Sequence, residues 1–339
     1  MRSPRAYLAD VVEIAGAWDV RLSAETEALH HDASGRNNRI ACRVGGLTMT
    51  SDDRLIQGMA GHGDFRILAA QTTGTVESAR EILDLSPVAA DALGRALTAS
   101  ALLARLLDKD VRNQYVTLRF EGNGPLGTII AEGNVAGGIR GWVANPAPTD
   151  ASLDVSRAIG RGTLTVVRGT PPAGKPYTSK ITLEGGGVAQ ELTRYLARSE
   201  QIASAVLLGV MSRREGVVGA GGIIVQAFPY ATDEAIRAIE TRIRESPPLS
   251  TLLEKMPIEA VVAQVFEGLE YKQIDASFNV PLSYSCSCSR ERALAPLALF
   301  SHDEIREMVD EGGSEVVCQF CGRKYSFTRG DLLRLNSAK

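Results

Sequence analysis

The chain has 339 residues, which is enough for two domains or for one large domain with an appendage. Hydrophobic residues make up 44% and charged residues 23%, and the net charge of −3 argues against a dedicated nucleic-acid binder. No apolar run reaches the length of about 18 residues that a membrane-spanning helix needs. Asp10 and Glu13 interrupt the only stretch that resembles a signal peptide. We therefore expect a cytoplasmic protein that binds neither nucleic acid nor membranes.

Residues 1–54 differ from the rest of the chain, and we treat them as an N-terminal extension. Their central stretch is polar and rich in turn residues, with no apolar period. The run Thr50-Ser51-Asp52-Asp53 predicts the N-cap of a helix that starts near Arg54. One hypothesis is that translation begins at Met49, and the alternative is a native but poorly ordered extension. Intact-mass detection of a species that begins at Met1 would contradict the first hypothesis.

Residues 55–230 predict an α+β core, in which helices are segregated from an antiparallel sheet. Helices are expected at 75–83 and 87–108, and Pro87 in the first turn opens the second one. The apolar period then changes to two, and glycine turns separate a series of short strands. Including one strand before the helices, strands are expected at 65–70, 115–120, 126–132, 139–143, 163–168, 178–183, 202–211 and 222–228. A last helix is expected at 188–198.

Residues 231–279 predict a helical linker of three short amphipathic helices, broken at Pro247-Pro248 and at Pro257. Each helix is too short to be stable alone, so each needs a surface on which to lie. The pattern fits ordinary helices that cap the core, and it equally fits a linker that can detach.

The C-terminal unit, residues 280–335, carries four of the five cysteines in two close pairs, Cys286-x-Cys288 and Cys318-x-x-Cys321. A Cys-x-x-Cys turn directs both sulfur atoms to one ion, and residues i and i+2 of an extended segment point to the same side. We predict one structural zinc ion held by all four thiolates, which stabilises a unit too small to enclose much core. Basic residues flank the site and would offset its formal charge: Arg290, Arg292, Arg323 and Lys324.

Two other functions compete for this cysteine pattern. A nucleic-acid-binding zinc ribbon is disfavoured because residues 280–339 contain 8 basic and 8 acidic side chains and offer no basic face. A thiol oxidoreductase is disfavoured because the Cys-x-x-Cys flanks predict a hairpin, whereas such motifs open a helix after a strand. Cys42 is an isolated thiol, and the histidines show no ligand or catalytic spacing, so we expect no enzyme site. The histidines are His30, His31, His62 and His302.

Two motifs resemble those of a known family. The sequence Cys-Ser-Cys-Ser-Arg-Glu-Arg at 286–292, followed by Cys-Gln-Phe-Cys-Gly at 318–322, closely resembles the 33-kilodalton chaperonin family of bacterial redox-regulated holdases. The resemblance extends upstream through 195–201 and 220–226 and covers about residues 55–335. The extension before residue 55 departs from the family pattern.

The resemblance implies a function that the spacing alone does not. The reduced, zinc-bound protein would be inactive, and oxidation would form the disulfides Cys286–Cys288 and Cys318–Cys321 with loss of the metal. The C-terminal unit and the linker would then unfold, and exposed apolar surface would bind unfolding client proteins without ATP, often as a homodimer. Candidate client-binding or self-covering residues are Ile236, Ile239, Ile243, Leu252, Leu253, Val262, Val265 and Phe266.

Overall fold

The computed structural model describes residues 18–22, 52–107, 111–150, 154–170, 175–274 and 276–337. The chain divides into two compact units. One comprises residues 51–286, and the other comprises residues 287–339 together with the residues before 51.

The described residues form an α+β protein, as predicted. The strands in chain order are β1 (Trp18–Leu22), β2 (Arg54–Ala60), β3 (Phe65–Gln71), β4 (Tyr115–Gly122), β5 (Thr128–Asn134), β6 (Gly138–Val143), β7 (Gly162–Gly169), β8 (Tyr177–Leu183), β9 (Ser204–Arg213), β10 (Gly216–Ala227), β11 (Lys272–Gln273), β12 (Val280–Pro281), β13 (Ser283–Tyr284), β14 (Gly313–Cys318) and β15 (Lys324–Thr328). The helices are α1 (Thr73–Leu83), α2 (Pro87–Ala104), α3 (Val155–Ile159), α4 (Gly187–Arg198), α5 (Asp233–Glu245), α6 (Leu249–Leu253), α7 (Ile258–Val265), α8 (Arg290–Leu297), α9 (His302–Asp310) and α10 (Arg329–Ser337).

The larger unit contains two six-stranded sheets where the sequence suggested one continuous meander. The first has the order β11-β2-β3-β10-β9, with β12 also paired to β2, and the second has the order β13-β6-β5-β4-β7-β8. Only the β13–β6 pair of the second sheet is parallel; its other pairs are antiparallel.

The predicted helix near Arg54 is wrong, because Arg54–Ala60 is strand β2. Residues on both faces of this strand are buried, including Gln57 and Gly58, because the strand lies inside a sheet. Asp53 does act as a helix cap, but for α1. Its carboxylate accepts hydrogen bonds from the backbone and hydroxyl of Thr75 at 2.6 and 2.7 Å. The carboxylate thus satisfies donors of a helix first turn, but the helix is not the one predicted to follow Asp53.

Helix α2 lies at the centre of the main core. Ser86 caps it, Pro87 occupies its first turn, and almost every residue of the helix is buried. Its apolar side chains pack with Leu68 and Ile224 of the first sheet and with Leu118 of the second. The helix is therefore covered on most sides by the core.

The opposite face of the first sheet carries a second apolar core. Ile67, Ile223 and Val225 pack there against residues of α5, α6 and α7. The segment expected to be a linker contains three short helices, and they lie on the face of the sheet that α2 does not cover.

Two glycines bring the linker unusually close to this sheet. A Cβ atom at Gly209 of β9 would lie 2.7 Å from the Ser250 nitrogen, and one at Gly219 of β10 would lie 2.7 Å from the Ser250 carbonyl oxygen. Such distances leave no room for a side chain, so the α6 backbone lies directly on the strand backbone. Strand β10 was expected to begin at 222, but it begins at 216. Its first half is rich in glycine and therefore lacks the apolar pattern that predicts a strand.

The smaller unit contains a three-stranded antiparallel sheet with the order β1-β14-β15. Helices α8, α9 and α10 supply a small apolar core, in which Ile305 and Leu332 pack with Val316 and Phe327. A capping box is present at the start of α9, with reciprocal bonds between Ser301 and Glu304.

Candidate metal centre

The four cysteines lie where regular elements end. Cys286 and Cys288 occupy the irregular segment between β13 and α8, so this pair is not on a strand. Cys318 is the last residue of β14, and Cys321 lies in the turn before β15. Turns and element ends allow the side chains of each pair to point in one direction.

The turn at Cys318–Cys321 has the geometry of a thiolate knuckle. Gly322 donates its backbone N–H to the Cys318 carbonyl at 2.7 Å, and Cys321 donates to the same oxygen at 3.3 Å. Gly322 has φ 68°, a left-handed conformation that glycine adopts without strain. The glycine after the second cysteine is therefore required by the backbone of the turn.

The four sulfur atoms of Cys286, Cys288, Cys318 and Cys321 all lie within 4.8 Å of one another. Four thiolates about 2.3 Å from a shared tetrahedral ion would be separated by about 3.8 Å. The Cys288 and Cys321 sulfurs are 3.4 Å apart, too far for a disulfide, whose S–S bond is about 2.05 Å. Cys288 and Cys318 are buried and the other two are half-buried. The donor set and its spacing fit a soft, four-coordinate metal ion.

Tyr325 and Arg323 provide polar support for the sulfurs from β15 and the turn before it. The Tyr325 hydroxyl donates a hydrogen bond to the Cys288 Sγ at 3.1 Å. Burial and this interaction raise the pKa of Tyr325, so the hydroxyl stays protonated and able to donate. A hydrogen bond to Tyr325, with the nearby charges of Cys288 and Cys321, raises the pKa of Arg323. Arg323 therefore lies close enough to these two sulfurs to interact with their charge.

A second cation, Arg140 of β6, was not identified from the sequence. Strand β13 pairs in parallel with β6, and the Ser285 backbone donates to the Ile139 carbonyl at 2.8 Å, which brings Cys286 beside Arg140. Burial alone would lower the pKa of Arg140, but its interactions with Glu132 and the Cys286 thiolate outweigh burial and raise it. Arg140 and Glu132 form a salt bridge of 2.8 Å on neighbouring strands.

The other predicted basic neighbours make different contacts. Arg290 pairs with Asp331 at 2.9 Å and lies 4.5 Å above the Phe327 ring, so it fastens α8 to the hairpin and α10. Arg292 donates to the Ser287 hydroxyl at 2.7 Å and orders the backbone between the first two cysteines. Lys324 pairs with Glu315 at 3.2 Å.

The eight apolar linker residues chosen from the sequence all lie against the first sheet. Six of them are buried and two, Ile236 and Ile243, are half-buried. The six are Ile239, Leu252, Leu253, Val262, Val265 and Phe266.

The isolated cysteine and three of the histidines singled out in the sequence lie away from this cluster or outside the described residues. Cys42, His30 and His31 lie outside the described residues. His62 makes an exposed contact of 2.9 Å with Glu270. Among the described residues, no helix is long and apolar enough to cross a membrane.

The chain is similar in sequence and in structure to known 33 kDa chaperonins. The model of the family described as "Hsp33 protein" matches residues 53–328. The 33 kDa chaperonin of one Thermus thermophilus strain is 42% identical over 288 residues, which cover 81% of this chain and 84% of the relative. That of Deinococcus radiodurans is 38% identical, covering 84% of this chain and 98% of the relative. The crystal structure of the Thermotoga maritima 33 kDa chaperonin superposes with a TM-score of 0.75 at 32% identity, covering 84% and 98% of the two chains.

Proposed function

Because the chain belongs to the Hsp33 family of 33 kDa chaperonins, we propose that it is a redox-regulated, ATP-independent holdase of the cytoplasm. Membership makes it a chaperone, and its relatives are named as chaperonins and not as enzymes. The observation that carries the redox part of the proposal is the cluster of four cysteine sulfurs within 4.8 Å of one another.

The metal of the reduced form is zinc in this proposal. Cys286, Cys288, Cys318 and Cys321 would hold it, and four thiolates are a common structural donor set for Zn²⁺. When bound, the ion cross-links the two cysteine pairs, and its binding free energy adds to the folding free energy of the small unit. The small apolar core around Val316 and Phe327 supports this role, because it offers little stabilisation of its own.

Oxidation converts the four thiolates into two disulfides, Cys286–Cys288 and Cys318–Cys321, and so removes all four metal ligands. Formation of each disulfide transfers two electrons to one molecule of hydrogen peroxide, which takes up two protons from solvent and leaves as two water molecules, so two peroxide molecules are consumed per chain. The 3.4 Å separation of Cys288 and Cys321 does not select the pairing, since every sulfur pair around one ion is close. The pairing rests on the family resemblance.

The linker is the second part of the switch. Helices α5–α7 cover an apolar face built by residues such as Ile67, Ile223 and Val225. Each helix is short, and none is stable without this surface. Release of the linker after metal loss would expose both its own apolar residues and the sheet face. Unfolding client proteins would bind there, with the oxidised chaperone acting as a homodimer.

The test pairs metal release with chaperone activity. Warm peroxide treatment is expected to release about one zinc per chain and to turn on suppression of client aggregation in the absence of ATP. Disulfide mapping by mass spectrometry should find the two near-neighbour pairs and no Cys288–Cys321 bond. Cys42→Ser is the matched control and should behave like the parent.

Three results would contradict the proposal. Metal release without any gain in aggregation suppression would exclude the holdase. Full metal content in Cys286→Ser would exclude the four-cysteine ligand set. Catalytic turnover in an insulin reduction assay would favour a thiol oxidoreductase instead.

A further inference from the structure

Strand β1, from the N-terminal extension, is the third strand of the sheet that carries Cys318. It pairs antiparallel with β14, and the register places Trp18 opposite Cys318 and Leu22 opposite Ser314. We propose that this strand is a built-in brake on the redox switch, which holds β14 in place and slows metal release. The effect on release rests on the proposed function, whereas the pairing itself does not.

The hydrogen-bond pattern of β14 identifies the amides that β1 covers. Cys318 donates its backbone N–H to Arg323 at 2.9 Å, so this amide faces the β15 side. Successive residues of a strand direct their N–H groups to alternate sides. The amides of Val316 and Cys318 therefore face β15, whereas those of Glu315 and Val317 face β1. The register pairs Glu315 with Arg21 and Val317 with Asp19.

The added strand changes the stability of the element that holds a metal ligand. Without β1, β14 would be an edge of a two-stranded hairpin, which is marginal in water and exposes unpaired backbone groups. A third strand pairs that edge and must detach before β14 can open. Cys318 is the last residue of β14, so a strand that keeps β14 from opening also keeps this proposed metal ligand in place.

The brake is an addition to the family architecture. The family match begins at residue 53, and β1 ends at Leu22, so the strand lies outside the matched part. The Deinococcus relative is covered over 98% of its own length by 84% of this chain. A relative limited to the matched part would carry the switch without this strand. The direction of the effect follows: the strand favours the reduced, metal-bound state.

Two proline substitutions in the full-length zinc-bound protein test the idea as a matched pair. Arg21→Pro removes an N–H that faces β14. Val20→Pro removes one that faces away, which an edge strand tolerates. Arg21→Ala controls for the lost charge. We expect Arg21→Pro to accelerate peroxide-induced zinc release by about threefold to tenfold, the size of one net hydrogen bond. Val20→Pro and Arg21→Ala should stay near the parent rate.

Amide hydrogen exchange of the reduced protein supplies the readout that does not depend on release. In Arg21→Pro the amides of Glu315 and Val317 should exchange faster, while those of Val316 and Cys318 keep the parent rates. Unchanged exchange at Glu315 and Val317 would overturn the pairing. Faster exchange with an unchanged release rate would overturn the brake. If the parent itself keeps its zinc under peroxide, the holdase proposal and the brake both fail, and exchange still decides the pairing.

Discussion

Phe266→Ala should turn on the chaperone without any oxidant. Phe266 follows α7, is 1% exposed and packs in the core between the linker and the first sheet, with its ring 6.4 Å from that of Tyr271. Removing a buried phenylalanine ring costs about 3–5 kcal/mol. We take about 3 kcal/mol, because a short helix can partly collapse onto the cavity. Since 1.4 kcal/mol is a factor of ten, linker opening should increase about 100-fold.

The matched control is Phe120→Ala. Phe120 is equally buried, but it belongs to the core around α2, which the linker does not cover. Both variants should lower the melting temperature. Only Phe266→Ala should speed amide exchange in the linker helices and suppress client aggregation while the protein is reduced and zinc-bound.

Two outcomes would refute this reasoning. Parent-like exchange in the linker of Phe266→Ala would mean that the ring does not hold the helices down. Fast exchange without any gain in aggregation suppression would mean that the covered face is not where clients bind.

Three further predictions concern the metal site and the core. Arg140→Gln should speed metal release several-fold, because it removes the interaction with Cys286, and Arg140→Lys should partly restore the parent rate. Arg119→Gln breaks an ion pair two strands away and should leave the release rate unchanged. Equal effects of the two glutamine variants would indicate a general loss of sheet stability. Chelation of the metal under reducing conditions should remove exchange protection from residues 287–337, and retained protection there would contradict a metal-dependent fold. Hydrogen bonds and Arg194 hold the pKa of Glu191 below its usual range despite burial, so its stabilisation is present above about pH 4.3 and disappears as pH falls through the lowered pKa. Glu191→Gln should therefore lower the unfolding free energy by about 1–3 kcal/mol at pH 7, with a difference from the parent that shrinks below about pH 4, and a difference independent of pH would contradict this.

The cluster of four cysteines was predictable from sequence because its information is local. Two cysteine pairs with short internal spacing and a following glycine fix the turn, the donor type and the ligand number. Arg140 was not predictable in the same way, since it reaches Cys286 through a parallel pairing between segments about 140 residues apart. Gly137 and Gly138 gave a partial signal. They read as a turn, yet a Cβ at Gly137 would lie 2.0 Å from the Pro281 carbonyl oxygen, so they also admit the returning strand.

The fold was predictable where one pattern dominated. The buried helix α2 and the alternating strands β4 and β6 follow directly from apolar period. The division into two sheets did not, because alternation identifies a strand and not its partner. The prediction of a helix from Arg54 was wrong, since the Asp53 carboxylate accepts from the first turn of the helix that begins at Thr73 and not from a helix that directly follows it. The sequence shows that a residue can cap a helix, but only the tertiary fold determines which helix it caps.

The glycine backbone beneath α6 has a consequence for client selection. At Gly209 and Gly219 the sheet offers the linker bare backbone, with no projecting group for a particular partner to match. Selective recognition requires projecting side chains and pockets that match one partner in shape, or a buried polar group that a wrong partner would leave without a hydrogen bond. A smooth patch supplies neither, so it does not select its partner by shape or by polar pairing. If the linker is released as we propose, the feature that lets one short helix lie close to the sheet would therefore also make this surface promiscuous.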